Sequence, residues 1–411
     1  MEQNLAAFLE RQLDEIRMLL AEEEELDDSG AMERIILHIF DDPQTAMFSD
    51  REVEEAIQKL FLKTRRTLSI LDPLLHDAAV SEIMVNGPEH IFVERDGKIE
   101  RYPWAFDSTA ELEEVLRGIA GQVHREINEM HPIVDARLPD GSRVNGVYRN
   151  VAINGPALTI RKFSEGFLHL ADLERNGTVS AEGAELLRIL VGCGYNLFVS
   201  GGTSSGKTTL LNALAEAIPR QERVVVVEDS MELKMQEIEN IVHMECRSSN
   251  AAGKGGITMA DLIRSSLRMR PNRIIVGEVR GGEVADMLNG MNTGHAGMST
   301  GHGNSVGGML KRLESMYLMA IPLEVDAIRA QIAEGIDILV HVEKLDGGTR
   351  KITDIVELVD YRDGRFLLNE LMKMGTDGEL KRTENRLLHT RKAVLKGESY
   401  VRRLYELDLI D

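Results

Sequence analysis

Cysteine is nearly absent from this 411-residue chain. Only Cys193 and Cys246 occur, and their spacing fits neither a disulfide framework nor a metal site, so both read as reduced thiols of a cytosolic protein. Long apolar runs are missing as well. None approaches the roughly 18 residues that a membrane-crossing helix needs, so the chain is not expected to insert into a bilayer by itself. No basic leader with an apolar core opens the chain: MEQNLAAFLERQLDE is acidic and amphipathic, which argues against a signal peptide. Excess positive charge is also lacking. With 48 Lys and Arg against 68 Asp and Glu, the net charge is -20; a broad nucleic-acid groove would need clustered cations, and so would unaided adsorption to anionic lipid. There is no internal repeat and no low-complexity stretch.

What is present divides into domains, because 411 residues exceed what one compact core usually holds. Leu5, Phe8, Leu9, Leu13, Ile16 and Leu20 recur at helical spacing, the acidic run Glu22 to Asp28 and Gly30 interrupt, and Met32 to Phe40 resumes. Residues 1–70 are therefore read as a helical module, and the acidic run as a solvated helix end or linker. From Leu71 short β-like runs alternate with turns: HIFVE and KIERY flank Asp96-Gly97, and DARLPDGSRVNGV carries Asp140-Gly141, both hairpin signals. Ala110 to Glu129 reads as a helix between them, making 71–165 an α+β domain. Gly166, Gly177 and Gly183 among polar residues mark 166–183 as the linker. Beyond it, in 184–411, the apolar runs YNLFVS, RVVVVED, RIIVGEV and IDILVHV alternate with helices, as in an α/β domain whose parallel sheet is covered on both faces. The tail from Asp354, with a hairpin-like turn at Asp363-Gly364 and a charged helix after Arg382, says least.

The sharpest signal is G-G-T-S-S-G-K-T from Gly201 to Thr208. It satisfies G-x-x-x-x-G-K-[ST], a loop whose backbone N–H groups converge with a helix N-terminus on a β-phosphate. The context fits: YNLFVS enters as a strand, and Leu210, Leu211, Leu214 and Ile218 leave on one helical face before Pro219. Gly201, Gly202, Thr203, Ser204, Ser205, Gly206, Lys207, Thr208 and Thr209 are thus the candidate nucleotide-binding residues.

Downstream, strand VVVV ends in Glu228-Asp229, with Glu232 three residues on. Strand RIIVGE ends in Glu278, and Gly277 stands where a standard enzyme of this kind carries its magnesium aspartate. Acids at the carboxyl ends of parallel strands lie where bound phosphate and metal sit, so metal and water duties fall to Glu228, Asp229, Glu232 and Glu278. His295 and His302, in NTGHAGMSTGHGNS, have no third ligand at zinc spacing; phosphate or water contact in a glycine-rich loop is the reading for both, with loop packing as the alternative.

The phosphate loop, the E-D-x-x-E box, the strand ending in G-E and the paired-histidine box, in this order, resemble the secretion ATPases of type II and type IV systems. NGPEHIFVERDGKI, HPIVDARLPDGSRVN, LTIRKF and LRMRPNRIIVGEVRG resemble in particular the CpaF branch, which drives tight-adherence pili. The resemblance covers Leu71 to Lys344. It implies a homohexameric ring of cytoplasmic subunits, held at the inner face of the cytoplasmic membrane by an integral membrane platform protein. It further implies a RecA-like P-loop ATPase domain, preceded by the α+β domain, with ATP and Mg2+ as nucleotide and metal. Arginines that reach the γ-phosphate are matched by Arg137, Arg143 and Arg161, although Arg143 has Asp135 and Asp140 as ordinary hairpin partners. Ser204 departs from the glycine common in this family, which is expected to alter the loop slightly.

The expected mechanism is in-line attack of water on ATP, with Lys207 on the β- and γ-phosphates, Thr208 on Mg2+ and Glu232 orienting the water. Glu278 is assigned to Mg2+ through its water shell, and His302 or His295 to sensing the γ-phosphate. Two other readings stand beside it. One is a nucleic-acid-translocating or conjugation-associated ATPase, which the charge disfavours; the other is a scaffold that binds ATP without hydrolysing it, which the acidic boxes disfavour.

Overall fold

The structure is a computed structural model of the chain, described for all residues except 1, 22–25, 96, 164–167, 236, 248 and 250–253. It divides into two compact units, Met1–Ser164 and Glu165–Asp411.

The first unit opens with helices α1 (Glu2–Ala21), α2 (Asp28–Asp41) and α3 (Asp50–Arg65). Phe8, Ile16, Ile35, Ile39, Val53, Ile57 and Leu60 recur at three- and four-residue spacing and meet in one buried cluster. The second helix starts earlier than the sequence suggests: Asp27 accepts from Gly30 N at 2.7 Å, a cap that lets the glycine lie inside the first turn. Ser49 and Glu52 close a capping box on α3, whose last turn carries Lys63 and Arg65. Most of the acidic run, residues 22–25, lies outside the described residues.

After the short α4 (Asp72–His76), strands β1 (Val80–Asn86), β2 (Ile91–Arg95) and β3 (Lys98–Arg101) form a meander. Helix α5 (Thr109–Gln122) follows, then β4 (Ile133–Arg137), β5 (Arg143–Val147) and β6 (Ala157–Arg161). The six strands make one antiparallel sheet in the order β3-β2-β1-β6-β5-β4. Leu112, Leu116 and Ile119 of α5 cover its apolar face, packing in one core with Ile83, Val93, Val144 and Ile160. The helix stops at Gln122, short of the expected Glu129. Arg95 pairs with Lys98 across the β2–β3 turn, whose Asp96 lies outside the described residues.

The second unit contains α6 (Leu170–Arg175), α7 (Ala181–Cys193), β7 (Leu197–Gly201), α8 (Lys207–Leu214) and β8 (Val224–Glu228). Next come β9 (Ile241–Glu245), α9 (Met259–Ser266), β10 (Arg273–Val276), α10 (Glu283–Asn292) and β11 (Ala296–His302). The chain ends with α11 (Val306–Ala320), α12 (Val325–Gly335), β12 (Ile338–Lys344), β13 (Arg350–Arg362), β14 (Arg365–Met374), β15 (Leu380–Arg382), α13 (Arg391–Lys396) and α14 (Glu398–Glu406). Nine strands form one sheet, β15-β14-β13-β12-β7-β11-β10-β8-β9. From β12 to β9 all pairs are parallel; from β12 to β15 they are antiparallel. This is a RecA-like α/β architecture.

Period-2 alternation splits each buried strand between two cores. Leu197, Val199, Val224, Val226, Ile275 and Val340 face α7, α8 and the C-terminal helices, while Phe198, Val225, Val227, Ile274, Val276 and Leu339 face α9 to α12. Because both faces are covered, the strands read as unbroken apolar runs rather than alternating ones.

One expectation changes here. The 166–183 stretch is not a free linker over its length: Leu170, Leu173 and Val179 are buried in the core of the second unit, since apolar residues spaced by three on α6 need cover. The tail is packed too. The carboxylate of Glu357, fully buried, accepts from Leu388 N at 2.9 Å and His389 N at 2.7 Å, and Lys396 reaches Glu222 at 2.9 Å.

Candidate functional site

The phosphate loop bridges β7 and α8, with Lys207 as the first helical residue. Gly206 has φ 95° and Ser204 φ 56°. A serine in the left-handed region carries a strain of order 1–3 kcal/mol. The serine adopts a turn of the kind glycine favours, and the backbone carries the strain. Gly206 leaves the N-terminus of α8 open, where first-turn N–H groups have no intrahelical acceptor and favour anions. Ser205 Oγ is buried with no hydrogen-bond partner among the described residues. An orphan hydroxyl beside a helix N-terminus fits a phosphate group.

Lys207 is buried, and burial lowers its pKa from the usual lysine range, partly countered by the charge of Glu278. Its ammonium donates to Gly202 O at 2.7 Å and faces His302 Nδ1 at 3.2 Å. An ammonium only donates, so His302 Nδ1 accepts and the ring proton sits on Nε2, 2.9 Å from Glu278 Oε1. Burial holds the His302 pKa below the usual histidine value, which suits the neutral ring this geometry requires. Glu278 also takes Arg280 Nε at 3.2 Å, and Arg280 approaches Asp229 at 3.8 Å. Cation, neutral ring, carboxylate and cation thus alternate from Lys207 to Arg280.

The remaining acids differ in what they do. Glu228 is 3% exposed, and its Oε1 accepts from Glu232 N at 2.9 Å and Leu233 N at 3.1 Å. It holds the turn that carries Glu232. Gly277 has a steric reason: a Cβ there would lie 2.9 Å from Glu228 Cγ, so an aspartate at 277 would force the Glu228 side chain to shift. Asp229 is exposed at 62%. Thr208 is half-buried and Thr209 exposed on the first turn of α8.

The paired-histidine segment is not a loop. Residues Ala296–His302 form β11 in the middle of the sheet, parallel to β7, with His302 beside Gly201. His295 precedes the same strand at its other end, about 20 Å away for a seven-residue strand. Its Nδ1 lies 3.2 Å from Gly290 O and 3.4 Å from Thr293 Oγ1. Strand geometry thus leaves only His302 of the two beside the phosphate loop of its own chain.

In the first unit, register creates a row that spacing could not reveal. Arg137 lies opposite Arg143 and Arg143 opposite Arg161, on β4, β5 and β6. Directly opposed residues point to one face of the sheet. Asp135 accepts from Asn145 at 2.9 Å and Asp140 from Ser142 Oγ at 2.7 Å. Sequence reasoning missed Arg280, although it stands two residues after Glu278, and Arg350, whose Nε donates to Ser204 O at 3.0 Å from 146 residues away. Burial pushes the Cys193 and Cys246 thiols up to about 11.

Comparison with known proteins gives this architecture its family. The model for the type II/IV secretion system protein family matches residues 65–385, and the chain belongs to that family. It is 32% identical to the conjugal transfer protein TrbB of Rhizobium radiobacter, over 74% of this chain and 92% of that protein. It is 33% identical to the type IV secretion system protein PtlH of Bordetella pertussis, over 72% of this chain and 94% of that protein. The fold matches the crystal structure of the pilus retraction motor PilT with bound ADP, at TM-score 0.51 and 19% identity, covering 82% of this chain and 89% of that one. No described helix is long and apolar enough to cross a membrane.

Proposed function

We propose that the chain is a magnesium-dependent ATP hydrolase, working as a homohexamer that powers type II/IV secretion or the assembly of tight-adherence and related pili. The observation that carries this reading is Lys207, buried at an open helix N-terminus and within hydrogen-bond reach of a neutral His302 that is itself held by Glu278. Lys207 and the loop N–H groups bind the β- and γ-phosphates. Glu232, presented by the Glu228 turn, orients the attacking water. His302 couples Lys207 to Glu278, so it reports γ-phosphate at one nitrogen and holds a proton at the other. Thr208 and Glu278 are the residues suited to Mg2+; when bound, the ion neutralises charge on the β- and γ-oxygens. The Arg137-Arg143-Arg161 row is suited to charge developing on the transferred phosphoryl group.

The motor is proposed to work at the cytoplasmic face of the membrane against an integral platform protein, consistent with an acidic chain that needs a specific docking partner. Magnesium-dependent phosphate release by the wild-type chain, lost in Lys207→Ala with the fold retained, is the expected result. Release that persists in that variant sinks the site; none from the assembled wild-type chain favours the scaffold reading. A conjugation-associated role is the second reading, favoured by the similarity to TrbB. Stimulation of the ATPase by single- or double-stranded DNA supports that role, and indifference to DNA supports the secretion motor.

A further inference from the structure

We propose that Arg350 is a positioning residue of the phosphate loop, holding the left-handed turn at Ser204 in the shape that receives a triphosphate. This rests on the reading of that loop as an ATP site. Arg350 comes from a different part of the fold than the loop it touches. Strand β12 runs parallel to β7 with Val342 beside Gly201, and Arg350 opens β13 opposite Lys344. The hairpin between them thereby returns to the loop.

A hydrogen bond and the space over Gly206 place the side chain there. Its Nε donates to Ser204 O at 3.0 Å, and its Cδ lies 3.1 Å from where a Cβ on Gly206 would stand. The stem of Arg350 fills the space that Gly206 leaves, and its head grips the strained residue two positions earlier. Among the described residues Arg350 has no carboxylate partner, so the loop carbonyl is the acceptor that orders an otherwise exposed guanidinium. In a trans peptide the C=O and the next N–H point to opposite sides. Pinning Ser204 O on the Arg350 side therefore directs the Ser205 N–H to the other side of the loop, together with a peptide plane that the αL turn alone would leave under strain. Such an anchor costs no reorganisation when nucleotide arrives, which is how a preorganised site gains affinity.

The prediction concerns coupling between two residues far apart in sequence. Arg350→Met keeps the aliphatic stem on Gly206 and removes the donors. In the full-length chain it should raise the KM for MgATP, and the Kd of a slowly hydrolysed ATP analogue, about five- to ten-fold, with kcat changed less than about two-fold. Ser204→Gly removes the strain that Arg350 restrains, so in a Ser204→Gly chain the Arg350→Met change should cost less than about two-fold. Arg350→Lys, with a donor on a flexible stem, should fall between. The proposal is overturned if KM and Kd stay within two-fold in Arg350→Met, if kcat falls while both hold, or if Arg350→Met costs as much in the Ser204→Gly chain as in the parent. Those outcomes leave the ATP reading standing. A parent chain that neither turns over MgATP nor binds the analogue overturns that reading, and this proposal with it.

Discussion

His295 and His302 bound one strand, each beside glycines, yet they meet different chemistry. His302, at the carboxyl end of β11, sits between Lys207 and Glu278; His295, at the amino end, closes onto Gly290 O after α10. Lys207, Glu228, Glu278 and Arg280 collect at the first end because β7, β8, β10 and β11 are parallel and their carboxyl ends form one edge. In such a sheet the polarity of the strand, rather than the residue type or its glycine flanks, decides whether a histidine can touch phosphate.

The largest effect belongs to the end that carries Lys207. Lys207→Ala should lower kcat by about a thousand-fold or more while the circular dichroism spectrum stays unchanged, because the ammonium acts on charge that develops on the phosphoryl oxygens. Next comes the direct contrast of the two histidines. His302→Gln should cost about ten- to a hundred-fold in kcat and His295→Gln less than about two-fold; equal losses in a steady-state assay would break the comparison. A third experiment tests why the active edge is built as it is. Gly277→Asp introduces a carboxylate against Glu228 Cγ, 2.9 Å from the new Cβ, and should destabilise the domain by about 1–3 kcal/mol in denaturant unfolding. Glu228→Ala in the same background should recover part of that loss.

The smallest effect is on pH dependence. Burial lowers the pKa of His302 and of His341, whose Nδ1 lies 2.8 Å from Ser200 Oγ beneath the loop. With folded values under the ordinary one of about 6.5, the unfolded chain binds more protons in the interval between. Stability from these rings is therefore complete above about pH 6.5 and is lost as pH falls through the folded values. The melting temperature should drop between pH 7.5 and pH 5.5, and a His341→Gln chain should show a shallower drop. A melting temperature that rises on acidification contradicts the buried neutral rings.

The residues that were legible in the sequence are those whose signal is local. The phosphate loop is contiguous, and VVVV of β8 is unbroken because both its faces are covered. Strand β11 was hidden for the opposite reason: AGMSTGH is small-residued because its neighbours are large. A Cβ on Gly301 would stand 2.9 Å from Phe198 Cζ and 3.0 Å from Met309 Cε, so the space an apolar strand would fill is already occupied. Strand β9, IVHME, lies at the sheet edge with no residue fully buried, and carries too weak a pattern to stand out. The arginine row and the Arg350 contact depend on register and on a return of the chain, which spacing along the sequence does not encode. Leu170 and Leu173 gave two apolar signals in a glycine-punctuated stretch, too few to outweigh the turn residues around them.

Calorimetric titration of the assembled chain with magnesium and a slowly hydrolysed ATP analogue tests the central claim most directly. The account predicts saturable binding that Lys207→Ala abolishes and His295→Gln leaves intact; no heat of association with the wild-type chain, or equal binding by Lys207→Ala, would contradict it.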